Sequence, residues 1–149
     1  MNAFIAAGAG FLLAVLWFDL MFDVQVLGRS GGEPSEEALA SIGGYYARVT
    51  TAARPMDRLV AIVMLATLVA IVLELVDGGA PTWVAVASLV LAGAAIVLTG
   101  TRTLPSAVRL GSRRDPLERQ GELAREILHQ HLFSAGAIAL VLVLQLGCA

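Results

Sequence analysis

The apolar run AFIAAGAGFLLAVLWFDLMFDVQVL, residues 3–27, decides the fold of this chain. It is long enough to cross a bilayer as one helix, which takes about 20 residues. Asp19 and Asp23 interrupt it four positions apart, so both side chains project from the same face of the helix. A carboxylate inside a bilayer costs about 2.5 kcal/mol or more, and intramembrane acids generally mark functional sites. The first span therefore predicts a membrane fold and a candidate site together.

The composition of the whole chain places it among membrane proteins. Of its 149 residues, 58% are hydrophobic and 15% are charged, and the mean hydropathy is +0.80. Soluble domains average about half apolar and about a quarter charged residues. The net charge of −2 provides no basic field for nucleic acid, which excludes that class of partner. Cys148 is the only cysteine, which excludes an intramolecular disulfide and a thiolate metal cluster.

Three more apolar segments have the length of a transmembrane helix, and no strand alternation or internal repeat competes with them. We therefore predict an all-α polytopic membrane protein, a single domain over residues 1–149 built as an antiparallel up-down bundle. Its four spans are predicted at residues 3–27, 59–76, 82–99 and 127–146, and its two long loops at residues 28–55 and 101–125.

The arginines determine the predicted orientation. All ten basic residues are arginine, and they lie in or beside the two long loops, whereas residues 77–81 and both termini contain none. Because cytoplasmic loops collect arginine, both long loops are expected in the cytoplasm and both termini outside. The arginines are also expected to bind anionic lipid headgroups. The use of arginine without lysine indicates a GC-rich genome, so we predict a multi-pass protein of the bacterial cytoplasmic (inner) membrane.

The first loop contains a predicted amphipathic helix. Ser35 followed by Glu36 and Glu37 is typical of a helix N-cap with an acidic first turn. Beyond it, apolar residues recur at helical spacing, namely Leu39, Ile42, Tyr45, Tyr46 and Val49. This pattern predicts a short helix that lies in the cytoplasmic interface of the membrane.

The predicted topology brings the cytoplasmic ends of all four spans to one level, where most of their polar residues lie. A site that binds a ligand or a proton is therefore expected in the cytoplasmic leaflet. Its candidate residues are Asp19, Asp23, Arg58, Arg102 and Arg125. The alternative is structural, because the two aspartates could instead pair with arginines and tie the helices together.

A metal site is a further alternative. Glu126 and His129 lie three positions apart on one face of the fourth helix, as in the Glu-x-x-His motif of carboxylate-bridged di-metal bundles. The motif occurs once here, which argues against a di-metal centre and leaves a single divalent metal. The predicted ligands are Asp19, Asp23, Glu126 and His129. His131 projects roughly the other way on a helical wheel and is predicted to be an interfacial polar residue.

The end of the third span and the residues that follow it carry a pattern shared with a known family. Its elements are Arg102, Leu104, Pro105, Arg109 and Leu110, together with a histidine that enters the fourth span. In this layout the chain resembles the anthrone-oxygenase-like group of small four-helix bacterial membrane proteins. That group usually has an asparagine after the proline, where Ser106-Ala107 stands here. The resemblance implies a cofactor-poor oxygenase or an uncharacterised relative of one.

Three functions follow from these observations. The first is a site in the cytoplasmic leaflet that binds a ligand, a proton or a metal and could act catalytically on a membrane-dissolved substrate. The second is a non-catalytic accessory subunit or homo-oligomer of a larger membrane complex. It is indicated by Ala6, Gly10 and Ala14, small residues that allow close helix approach. The third is a dimeric small transporter, since four spans without an inverted repeat need a second copy to form a pathway.

Overall fold

The computed structural model describes residues 1–28, 33–52 and 54–148, and these ranges contain helices and turns but no strand. The helices are α1 (Asn2–Asp23), α2 (Glu36–Thr51), α3 (Arg54–Asp77), α4 (Thr82–Leu98), α5 (Leu104–Ser112) and α6 (Leu117–Gly147). A 3₁₀ turn at Val24–Leu27 extends α1, and a π-helical turn at Thr99–Thr103 joins α4 to α5. The predicted loop 28–55 includes residues 29–32 and 53, which lie outside the described residues.

Four helical segments of the described chain are long and apolar enough to cross a membrane, which confirms the all-α transmembrane fold. They are Asn2–Leu27, Pro55–Asp77, Thr82–Ser112 and Leu117–Gly147. The third continues beyond the predicted end at residue 99, and the fourth begins before the predicted start at residue 127. The segment 101–125, which the sequence presented as a loop, is therefore largely helical.

Pro105 and the turn before it explain how the third segment continues without a loop. A proline inside a helix lacks an N–H, and its ring clashes with the carbonyl four residues before it. The π-helical turn Thr99–Thr103 lies directly before Leu104 and widens the helix where that clash would occur. Arg113 then adopts a left-handed conformation, with φ of 50°, which ends α5 before α6 begins.

The four long helices form a closed bundle. α6 packs against α1 and α4, and α3 packs against the same two helices from the other side. The core between them is apolar and includes Ile5, Ala9, Ile71, Ile138 and Val141. The arginines of the described helices lie at the end of the bundle at which α1 ends and α3 begins, and we refer to it as the arginine-rich end.

Small residues contribute to this packing, and the predicted stripe takes part in it only through Ala6. Gly8 has no room for a side chain, because Thr67 of α3 occupies the space where a Cβ would lie. Ala6 is buried in the bundle. Ala14 is exposed, and a Cβ added to Gly10 would meet nothing within 4 Å. Only the last two positions of the predicted stripe therefore face outward.

The amphipathic helix is confirmed as α2, and its apolar face packs on protein. Ser35 Oγ accepts a hydrogen bond from the Ala38 amide at 3.2 Å, as its predicted N-cap role requires. The face is held mainly against α5, where a Cβ on Gly111 would lie 2.8 Å from the backbone nitrogen of Ala47. Gly43 faces α5 in the same way and comes close to Arg113. The glycines of this contact are therefore needed for close approach of the two helices.

Candidate functional site

Asp23 lies at the centre of a hydrogen-bonded cluster that joins α1, α2 and α6. Its side chain is fully buried. The Tyr46 hydroxyl of α2 donates to Asp23 Oδ1 at 2.5 Å. His131 Nδ1 of α6 lies 2.6 Å from Asp23 Oδ2. Both carboxylate oxygens of Asp23 therefore have a partner on another helix.

Asp19 lies one turn earlier on α1 and belongs to the same cluster. The Tyr45 hydroxyl donates to Asp19 Oδ1 at 2.6 Å, and the Tyr45 ring stacks on Phe22 with 4.1 Å between ring centroids. Asp19 Oδ2 lies 3.9 Å from His131 Nε2, which is too long for a direct hydrogen bond. We call the set of Asp19, Asp23, Tyr45, Tyr46 and His131 the Asp–His–Tyr cluster.

The two tyrosines of α2 act as hydrogen-bond donors. Burial raises the pKa of each phenol above its usual value, and the neighbouring carboxylates raise it further, since a phenolate beside an anion is unfavourable. Both phenols therefore keep their protons at physiological pH. A protonated phenol against a carboxylate is a charge-assisted hydrogen bond, which is stronger than a neutral one.

The geometry around His131 assigns its tautomer. An ionised Asp23 carboxylate has no proton to donate, so in its contact with a neutral His131 ring the proton lies on Nδ1. The remaining ring nitrogen, Nε2, is then an acceptor, and it faces Asp19 Oδ2 across 3.9 Å. In this tautomer two acceptors oppose each other at this point.

A cavity of about 80 Å³ lies beside these two acceptors and is lined by residues of all four long helices. Its polar wall is formed by Asp19, Thr99, His131 and Ser134. The Ser134 hydroxyl is buried and has no hydrogen-bond partner among the described residues. The remaining wall is apolar and is formed by Leu12, Val15, Leu16, Val60, Met64, Ala95, Ile96 and Ile138.

The structure brings the two predicted aspartates together but places the predicted arginines elsewhere. Arg58 and Arg102 are exposed and Arg125 is half-buried. No arginine nitrogen within the described ranges lies within 4 Å of a carboxylate oxygen of Asp19 or Asp23. The two aspartates do connect α1 to other helices, but their partners are two tyrosines and a histidine instead of arginines. The reason is that the aspartates project into the bundle while the arginines lie on its surface.

The four predicted metal ligands are not assembled. Glu126 is exposed and lies 3.7 Å from Arg119, and His129 is exposed as well. Neither residue joins the aspartates of α1, and the part of the chain that the structure describes holds no group of three or more metal-ligating side chains. His131, which the sequence assigned to the interface, occupies the inward position instead, with 5% exposure.

The functional residues that the sequence missed are Tyr45, Tyr46 and His131. His131 could have been found from the period of α6, because Ile127, His131, Ser134 and Ile138 follow one another at helical spacing on its buried face. The tyrosines had been assigned to an apolar face. A buried phenol generally has a hydrogen-bond partner, so two tyrosines on an inward face already indicate nearby polar groups.

A second buried polar group lies toward the opposite end of the bundle. Glu74 is fully buried, and Gln145 Nε2 donates to its Oε2 at 2.9 Å. The same Gln145 nitrogen lies 3.3 Å from Ser88 Oγ. Glu74 Oε1 and Gln145 Oε1 are both buried without a partner in the described structure.

The fold and the site define a small polytopic membrane protein. In its interior, polar side chains of different helices hydrogen-bond to one another. The family model described as "ER membrane protein SH3", of the SHR3 chaperone type, matches residues 1–148. The chain therefore belongs to this family. No curated protein and no solved structure matches the chain.

The family match corrects two predictions from the sequence. The resemblance to the anthrone-oxygenase-like group is wrong, because the matching family is a different one and covers nearly the whole chain. The prediction of a bacterial inner membrane is also wrong, because the family is described as an ER membrane protein. Arginine usage reflects nucleotide composition and carries no information about the compartment.

Proposed function

We propose that this chain is a membrane-embedded chaperone that binds transmembrane segments of client proteins while they assemble. The observation that carries the proposal is the match of residues 1–148 to a family described as an ER membrane protein of chaperone type. A chaperone in the bilayer needs a stable framework and an outward surface on which a client helix can pack. In this chain the Asp–His–Tyr cluster would stabilise the framework, and the outward side of α1 would offer the surface.

The Asp–His–Tyr cluster supports the framework part of the proposal. Asp23 has both oxygens bonded to residues of other helices, with distances of 2.5 and 2.6 Å. Removing a hydrogen-bond partner of such a buried charged group costs about 2–3 kcal/mol, because the group is left without water to replace it. The cluster thus holds α2 and α6 against α1 and leaves the lipid-facing sides of the spans free.

The outward side of α1 supports the binding part. Apolar residues recur along it at alternating steps of three and four, which is the spacing of a coiled-coil seam. They are Phe4, Ala7, Phe11, Ala14, Phe18 and Met21, and we call them the α1 heptad face. Phe4, Phe18 and Met21 are 57%, 61% and 55% exposed and both alanines are exposed, whereas Phe11 is half-buried and also contacts the core. Large and small residues alternate, so a second transmembrane helix could place its side chains between the phenylalanines.

The size of the cavity favours a chaperone over an enzyme that acts on a membrane-dissolved substrate. Sites for drug-sized ligands occupy about 300–1,000 Å³. The cavity beside the cluster measures about 80 Å³ and could not enclose such a substrate.

Site-specific photocrosslinking tests the proposal. Benzoylphenylalanine in place of Phe18 on the α1 heptad face should crosslink to a radiolabelled polytopic membrane protein during its synthesis in microsomes. The crosslink should disappear once that protein has assembled. Leu65 on α3 is 63% exposed and serves as the matched control position. Equal crosslinking from both positions would contradict a client face on α1.

The same experiment addresses the alternative of a homo-oligomer. In that case position 18 would crosslink to a second copy of the chain, whether or not a client is being synthesised. The crosslinked product would then have twice the mass of the chain and would persist after synthesis stops.

A further inference from the structure

We propose that the cavity beside the Asp–His–Tyr cluster is a binding site for a primary ammonium group on a short alkyl chain. The cavity lies within the bundle, is lined by all four long helices and has polar residues only in one part of its wall. This inference stands on the cavity alone and does not depend on the proposed chaperone function.

The first argument is the balance of hydrogen-bond donors and acceptors in the polar wall. In the neutral tautomer of His131, Asp19 Oδ2 and His131 Nε2 are both acceptors, and they face each other across 3.9 Å. The Ser134 hydroxyl is a third group that can accept, 2% exposed and unpartnered among the described residues, whereas the Thr99 hydroxyl already donates to the Ala95 carbonyl. A primary ammonium carries three N–H donors and no acceptor. It therefore supplies one donor for each of the three groups.

The second argument is charge. With a neutral His131, the imidazole of the cluster brings no positive charge to an ionised Asp19 or Asp23. The salt bridges of the described chain bring no arginine to either aspartate. An unneutralised carboxylate within a bilayer is costly, and a bound cation removes that cost.

The third argument is the shape and chemistry of the remaining wall. Leu12, Leu16, Met64 and Ile138 surround the part of the cavity away from the acceptors. A volume of about 80 Å³ holds a short chain but not a large organic cation. The site therefore fits n-butylammonium, which has the same end group as a lysine side chain.

Ligand-dependent unfolding of the full chain in lipid nanodiscs tests the proposal. n-Butylammonium chloride should raise the unfolding temperature in a saturable manner. Tetramethylammonium chloride carries the charge without N–H donors, and n-butanol carries the chain without the charge, so neither should have this effect. Shortening the chain from butyl to propyl should weaken binding about fourfold, which is the effect of one buried methylene. Equal stabilisation by all of these compounds, or none by butylammonium, would overturn the proposal.

Variants locate the site. Asp19→Asn keeps an oxygen that can accept from Tyr45 but removes the charge, so butylammonium affinity should fall at least tenfold. Glu74→Gln alters a buried acid that lies outside the Asp–His–Tyr cluster and should leave the affinity unchanged. If Asp19→Asn fails to fold, Ser134→Ala provides the test, with an expected loss of several-fold. Unchanged affinity in the folded Asp19 or Ser134 variant would mean that the amine binds elsewhere.

Nitrogen NMR gives a second and independent measurement. The chain has two histidines, His129 and His131, and only the second borders the cavity. Butylammonium should shift the Nε2 resonance of His131 and leave that of the exposed His129 in place. If Asp19 is neutralised by a proton instead, the amine will shift neither resonance and the proposal is refuted.

The natural source of the ammonium can be a free alkylamine or a lysine side chain of another membrane segment. A transmembrane peptide with one central lysine is compared with the same peptide carrying methionine at that position. Binding of only the lysine peptide, with displacement by butylammonium, assigns the source to a side chain. Binding of butylammonium without binding of the peptide assigns it to a free amine, and failure of both excludes the site.

Discussion

Replacing Tyr46 with phenylalanine removes one oxygen from the Asp–His–Tyr cluster and leaves the aromatic ring in place. That oxygen donates to Asp23 Oδ1 at 2.5 Å, at a carboxylate with 0% exposure. A hydrogen bond to a charged group contributes about 1.5–3 kcal/mol to stability, and the loss is greatest when the acceptor remains buried without water. We therefore expect Tyr46→Phe to lower the free energy of unfolding by about 2–3 kcal/mol.

Tyr45→Phe is the matched control for this prediction. Its acceptor, Asp19, is 17% exposed and borders the cavity, so a water molecule can replace the lost hydroxyl. The expected loss is about 1 kcal/mol or less. Both variants and the unchanged chain are compared by denaturant-induced unfolding in bicelles, followed by circular dichroism. Equal losses in the two variants, or a loss below about 0.5 kcal/mol for Tyr46→Phe, would refute the central position of Asp23.

Three further predictions concern other parts of the bundle. Gly8→Leu should strongly destabilise the chain, because α3 fills the space beside this glycine. Gly10→Leu, at an open position, should change the free energy of unfolding by less than about 0.5 kcal/mol. Similar unfolding curves for the two variants would contradict the packing. Glu74→Gln should leave stability unchanged or raise it by about 1 kcal/mol, since the new amide can donate to the facing amide oxygen that has no partner. A clear decrease in thermal melts would show that the carboxylate itself is needed. The hydrogen bond from Arg109 lowers the pKa of Asp115, so its stabilising effect is present above the usual pKa of an aspartate and is lost as pH falls through the lowered value. Arg109→Gln should therefore remove part of the acid dependence of stability, and an unaltered pH profile would count against this pair.

The sequence was sufficient to locate half of the site. The spacing of Asp19 and Asp23 within an apolar run predicts two acids on one face near one end of the first span, and the structure places them there. Hydrophobicity and length also predict the four spans, because in lipid only a helix satisfies its own backbone hydrogen bonds.

The partners of the acids could not be predicted in the same way, because they depend on which faces of the other helices turn inward. His129 and His131 differ by two positions, which is a rotation of about 200° around the helix. The Glu126-x-x-His129 spacing favoured one face, whereas contact of α6 with α1 and α4 selects the other. Local motif spacing was thus a weaker guide than the apolar period of the whole helix.

The position of α2 was the other feature beyond local reasoning. Its amphipathic pattern predicts a helix at the membrane interface, but the same pattern is also compatible with packing on a protein surface. Gly43 and Gly111 favour packing on the protein surface, because they allow α2 to approach α5 closely. That contact brings Tyr45 and Tyr46 to the acids of α1.

The most direct test of the proposed chaperone function is the aggregated fraction of a newly synthesised polytopic membrane protein in microsomes with and without this chain. The unchanged chain should lower that fraction. Ala14→Leu, which fills a gap in the α1 heptad face, should lose the effect. Ala94→Leu, at an exposed alanine of α4, should keep it. An aggregated fraction that does not respond to the chain, or that responds equally to both variants, would contradict the account.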